Sequence, residues 1–296
     1  MKFGVCLPNY ANHLSKEGLI KSSKLAESCG FDSLWTTDHI LVPKKHSDPY
    51  GNVLDCLATL AYLGAVTEKI HLGTSVLVLP LRNPIIAAKQ VATIDYLTDG
   101  RLILGTAVGW MEEEFQNLGM PFHGRAKRFE EAVRLIRTLN QTETPRFEGR
   151  YYNFRDAVFR PTTTHKNGPP IWFGGNSEAA LMRAARLADG WHPVGVPVER
   201  YRTMVQKAKS VLRSEKPFTF SIRIHVDIDG NTKPYSASSG ESRDVIAGTA
   251  SDAAKAIEQY RDAGLDHLVC YFGDIDTKSS ERRITRFAEE IIPSFG

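Results

Sequence analysis

The fold class that this sequence predicts is α/β, in the form of a closed (β/α)8 TIM barrel, and three observations carry it. Short apolar, β-branched runs alternate with amphipathic helical patterns from one end to the other, which implies parallel strands joined by right-handed crossovers. Eight such runs fit into 296 residues, the number that closes a barrel. No G-x-G-x-x-G follows the first run and no G-x-x-x-x-G-K-[ST] occurs anywhere, so simple Rossmann and P-loop readings of a doubly wound sheet fall away. One domain over residues 1–296 is therefore expected.

The strands are placed, in order, at 3–9, 33–39, 70–76, 101–109, 170–175, 190–194, 218–227 and 267–272. Two helices between them are written most cleanly. Phe129, Ala132, Val133 and Ile136 recur at helical spacing, as do Ile284, Phe287, Ala288 and Ile291. An internal echo supports repeated units: Gly30-Phe31-Asp32-Ser33-Leu34-Trp35 resembles Gly264-Leu265-Asp266-His267-Leu268-Val269. In both, a glycine ends a helix in the left-handed conformation and an apolar residue starts the next strand. Gly100 and Gly190 stand at similar joints. Two insertions interrupt the alternation. One, after the fourth helix, spans 141–170 and carries a small hairpin turning at Glu148-Gly149; the other, after the seventh strand, spans 229–247 and is polar. Both read either as loop elaboration at the barrel ends or as a lid over the pocket.

Composition narrows the function. The chain carries 37 basic and 34 acidic residues, a net +3, with no Lys/Arg block, so nucleic acid is not an expected partner. Charge-free stretches such as 70–81 are far short of the roughly 18 residues that span a bilayer, and no secretory h-region follows Met1. Four scattered cysteines without a C-x-x-C pair predict reduced thiols and a cytoplasmic protein. No H-x-H, H-E-x-x-H or G-x-S-x-G spacing suggests a metal site or a serine hydrolase.

Barrel chemistry sits at the C-terminal strand ends. Those ends hold Asn9, Asp38-His39, Thr74-Ser75-Val76, Val108-Gly109-Trp110, Gly174-Gly175-Asn176, His192 and His225. The stretch "IWFGGNSEAALMRAARL" is the most informative. Two glycines join a buried strand to a helix, so amides at the positive helix end form an anion site, with Asn176 or Ser177 capping the helix when the anion is absent. A phosphate is the natural guest; the bland alternative is a tight turn plus cap.

At these residues a resemblance appears. "WTTDHILVP", "IHLGTSVLVLPLRNP", "AAKQVATIDYLTDGRLILGTAVGWMEEEF" and "PPIWFGGNSEAALMRAARLADGWHP" resemble the bacterial luciferase-like superfamily. More narrowly, they resemble its oxidoreductases that use the deazaflavin coenzyme F420. The resemblance implies a TIM barrel, a homodimer, and a partner reductase or dehydrogenase that recycles the cofactor. It places the phosphate cradle on Gly174, Gly175 and Asn176, a non-prolyl cis peptide at Ser75-Val76 behind the ring, and backbone contacts to the ring at Val108 and Gly109. It places Asp38 and His39 beside the reacting carbon, their alternative being a capping Asp and a supporting His.

The implied activity is hydride transfer between F420 and a small organic substrate. The alternatives are an FMN-dependent monooxygenase and a non-catalytic flavin-binding protein. One departure stands out: Trp110 occupies the place of an acid glutamate in the family's sugar-phosphate dehydrogenase, which argues against that chemistry. The proton donor stays open between His39 and one of Glu112, Glu113 and Glu114, three glutamates that otherwise read as the start of a solvated helix. Met111, Trp35 and Trp172 read as packing or as a cofactor face. Lys44, Lys45, Arg82, Arg125, Lys127 and Arg128 are expected around the rim, where a subset meets the carboxylate tail of the deazaflavin.

Overall fold

The computed structural model describes residues 1–212, 217–228, 230 and 232–296. Eight parallel strands run in chain order around a cylinder: β1 Lys2–Cys6, β2 Ser33–Thr36, β3 His71–Thr74, β4 Leu102–Ala107, β5 Ile171–Gly174, β6 Gly190–His192, β7 Thr219–Ile228 and β8 His267–Tyr271. Each pairs with its successor, and β8 returns to β1, with Phe3 opposite Leu268 and Val5 opposite Cys270. The barrel is closed. Outside it lie α1 Lys16–Ser28, α2 Cys56–Gly64, α3 Pro84–Leu97, α4 Arg125–Leu139, α5 Glu178–Leu187, α6 Val198–Lys209, α7 Ala250–Asp262 and α8 Thr277–Glu290.

Helix starts follow local chemistry. Ser15, Asp55, Asn83, Ser177, Thr249 and Asp276 each accept a hydrogen bond from an amide of the first turn. The apolar stripe of α4 (Phe129, Ala132, Val133, Ile136) is buried against the sheet, as are Ile284 and Phe287 of α8. This strand–helix layer is the main core. A second, smaller core fills the cylinder, where Trp35 and Trp172 stack at 5.2 Å with Cys6, Ile103 and Val269 around them. Both tryptophans are therefore barrel filling rather than a cofactor face, and Met111 is buried as well.

Gly30, Gly100 and Gly264 adopt φ of +83°, +82° and +99°, the left-handed joints that the echo predicts. Gly190 is different: it begins β6, and a Cβ there would sit 2.7 Å from the Trp172 ring. Its job is to leave room for that ring.

Several strands stop before their apolar runs do. β1 ends at Cys6 instead of Asn9, β2 at Thr36 instead of His39, and β4 at Ala107 instead of Gly109. Side chains take over where the ladder ends: Asn9 accepts from the Thr37 amide at 2.8 Å and donates to the Thr37 carbonyl at 2.8 Å. The residues beyond the strands are thus free to curl over the mouth.

The two insertions part company. In the first, Phe147–Glu148 pairs with Asn153–Phe154 as a hairpin, its turn at 149–152 rather than at Glu148-Gly149, and Glu131 of α4 accepts from the amides of Arg150, Tyr151 and Tyr152. It is pinned to the outside of the barrel. In the second, residues 229 and 231 lie outside the described residues. Tyr235–Ser236 pairs with Ser242–Arg243, and Val245–Gly248 adds to β7 as a parallel strand rather than a loop. Tyr235, Ser236 and Arg243 wall a cavity at the barrel mouth. Among the described residues no helix is long and apolar enough to cross a membrane.

Candidate active site

A cavity of about 780 Å³ opens over the C-terminal strand ends. Asp38, His39, Ser75, Val76, Val108, Gly109, Gly174, Gly175 and Asn176 all line it. Residues from four strand ends, far apart in sequence, thus meet at one place.

At one end, β5 runs into α5 through Gly174 and Gly175. Gly175 has φ +112°, and a Cβ there would lie 2.9 Å from Ala180. On Gly174 a Cβ would press the Val76 methyls at 3.1 Å. Ser177 is the cap, accepting from Ala180. Asn176 instead exchanges hydrogen bonds with the backbone of Val194, at 2.7 and 2.9 Å. The amides of Gly175, Asn176 and Ser177 meet no protein acceptor among the described residues. Three amides without acceptors at a helix N-terminus offer a site for an anion.

Behind the cavity, the Ser75–Val76 peptide bond is cis, as the resemblance implies. Ser75 Oγ hydrogen-bonds His192 Nε2 at 2.9 Å, and His192 Nδ1 closes on Ser221 Oγ. His192 is fully buried; burial, and then the charge of Arg223, push its pKa down to about 3. It is a neutral imidazole that bridges hydroxyls.

His39 has a different companion. Its Nδ1 lies 2.9 Å from Glu114 Oε2, while Glu114 Oε1 accepts from the Ile40 amide at 2.6 Å. Burial pushes the Glu114 pKa up, but the bonds from His39 and from the backbone outweigh that and hold it below the usual value. The expectation of three solvated glutamates is therefore corrected at one position. Glu113 is exposed and pairs with Lys45, whereas Glu114, on the buried side of helix Glu112–Asn117, is 1% exposed. The two candidates left open for the proton donor, His39 and a glutamate, are one hydrogen-bonded unit.

The Asp38 carboxylate is fully engaged. It accepts two bonds from Arg82, at 2.7 and 2.8 Å, and one from the Val78 amide at 2.9 Å. Arg82 also reaches Asp55. Neither Arg82 nor Arg128 lines the cavity; Arg128 donates instead to the carbonyls of Pro121 and His123. Of the six rim cations expected, Arg125 lines the cavity, and the sequence reading missed Arg183 and Arg243, which line it as well. It also missed Arg223, Tyr10 and Tyr271. Arg223 sits mid-strand in an alternating run, where no spacing rule singles it out.

The chain belongs to the luciferase-like monooxygenase family, which it matches over residues 1–233. It is 28% identical to the F420-dependent glucose-6-phosphate dehydrogenase of Amycolatopsis mediterranei, over 96% of each chain. It is 30% identical to the FMNH(2)-dependent dimethylsulfone monooxygenase of Pseudomonas putida, over 64% of this chain and 52% of that one. Monooxygenase RslO1 from Streptomyces bottropensis shares the fold, with a TM-score of 0.83 over 100% of both chains at 22% identity. The protein is an oxidoreductase of this family.

Proposed function

We propose that the protein transfers a hydride between coenzyme F420 and an organic substrate, with His39 as the proton donor and Glu114 holding it in place. The observation that carries the reading is that one cavity joins a buried His39–Glu114 pair to a three-amide anion cradle. The F420-dependent relative aligned over nearly its whole length supports the choice of cofactor.

The residues fit such a group. Gly174 and Gly175 leave space that a Cβ would fill, and their neighbouring amides would hold the phosphate. Val76, Val108 and Gly109 would wall the ring. When bound, the deazaflavin supplies a ring carbon that gives or takes a hydride. The chain's part is to orient the substrate, exclude water and manage one proton. Nδ1 of His39 is committed to Glu114, which leaves Nε2 to face the reacting group. Arg125, Arg183 and Arg243 line the same cavity and suit a tail bearing several carboxylates. A homodimer belongs to this reading, supported by Ile86, Tyr96 and Leu97, which lie exposed on α3, as does a partner enzyme that recycles the cofactor in the cytoplasm.

An FMN-dependent monooxygenase is the second reading, favoured by the Pseudomonas putida relative. Titrating the pure protein with F420 and with FMN, each oxidised and reduced, separates the two. The expected result is F420 binding that weakens with added salt much more than FMN binding does. Tight FMN binding with negligible F420 binding at low salt overturns the proposal.

A further inference from the structure

In the wall of the cavity Arg223 is a buried cation without a counter-ion among the described residues. It projects from β7, is 9% exposed, and makes three hydrogen bonds, all to neutral groups. These are Tyr10 OH at 2.7 Å, Thr37 Oγ1 at 3.0 Å and the Ser75 carbonyl at 3.3 Å. A guanidinium has five N–H donors, so capacity remains. Arg82 shows what compensation looks like in the same barrel, held by Asp38 and Asp55.

Among the described residues, each carboxylate that lines the cavity already has a partner. Asp38 holds Arg82, Glu241 pairs with Arg243, Asp244 accepts from Tyr260, and Asp274 pairs with His13. The ionisable groups around Arg223 include Cys6, Tyr10, Tyr271 and Tyr50. Burial pushes the pKa of each of these up, so near neutral pH none supplies negative charge. What Arg223 does have is aromatic surface: the Tyr271 ring centre lies 4.9 Å from its guanidinium carbon. Tyr10 stacks on Tyr271 at 6.1 Å and 19°, and on Tyr50 at 6.0 Å and 22°.

A lone guanidinium in a low-dielectric pocket is costly unless a ligand brings the missing charge. The Tyr10 and Tyr271 rings beside it, 19° from parallel, favour a flat, conjugated body over a sugar or a flexible chain. We infer that Arg223 is a second anion-recognition point, separate from the Gly174–Gly175 cradle, and that the substrate is a flat, conjugated or aromatic carboxylate. This rests on the reading that cofactor and substrate share the cavity, and it deepens that reading by naming the substrate class.

The test uses the protein without cofactor, so its result does not depend on which cofactor is bound. The probes are cinnamate and its neutral counterpart, cinnamyl alcohol, titrated calorimetrically in saturating inorganic phosphate to fill the cradle. Cinnamate is expected to bind about 10- to 100-fold more tightly than the alcohol, the range for one charge-assisted contact. Arg223→Gln should erase that preference, Arg223→Lys should keep part of it, and Gly175→Val should leave it intact. If Arg223→Gln does not fold, Arg223→Lys decides, because a point charge without the guanidinium fork should cut the preference measurably. Equal binding of the two probes overturns the inference, as does a preference that survives in the folded Arg223 variants. Arg223 could instead meet charge on the reduced cofactor ring. In that case Arg223→Gln weakens reduced F420 more than oxidised F420, which also overturns it.

Discussion

Two histidines, His39 and His192, are buried in the same barrel within reach of the same cavity, yet they are equipped for different work. His39 shares a hydrogen bond with a carboxylate, Glu114, whose own pKa is held low. His192 shares its bonds with two hydroxyls, Ser75 and Ser221, beneath the cation Arg223. The first environment gives the ring a carboxylate partner; the second penalises a protonated ring. Burial alone does not make a histidine catalytic. The partner on the far nitrogen decides.

The contrast is open to direct attack. The largest effect is expected at His39: His39→Asn should lower turnover with F420 and substrate by about 10²- to 10⁴-fold, the usual weight of one acid–base group. Steady-state kinetics check this, and turnover within a few-fold of the parent would reduce His39 to packing.

Glu114→Gln comes next, because Glu114 acts through His39 and does not touch substrate. A drop of about 10- to 100-fold in kcat is expected, with little change in KM. An unchanged kcat would show that Glu114 only braces the Ile40 loop.

The smallest effect concerns His192 and stability. Its folded pKa of about 3 lies below the ordinary 6.5, so the unfolded chain takes up the proton first. The stabilisation is complete above about pH 6.5 and is lost as pH falls toward 3, amounting to about 2 kcal/mol by pH 5. His192→Gln should therefore flatten the fall in urea midpoint between pH 7 and pH 5. His267, also buried with a pKa well below its ordinary value, keeps part of the slope. An unchanged slope in the variant would place the acid sensitivity elsewhere.

Much of this protein is legible in the sequence, for reasons that are local. Alternating runs and amphipathic stripes record which face of each segment is buried, so all eight strands and the α4 and α8 stripes follow from them. Gly174-Gly175 can be read because only a backbone without Cβ fits that turn, a constraint carried by two adjacent residues. Contacts across the barrel are another matter. His39 meets Glu114 across 75 positions, Arg82 meets Asp38 across 44, and Arg223 meets Tyr10 across 213. Helix Glu112–Asn117 turns Glu114 inward and leaves Glu113 outside, although both glutamates look alike in sequence. Closure of the cylinder decides which charge finds which partner, because that choice depends on how strand ends are rotated into one cavity and not on any spacing along the chain.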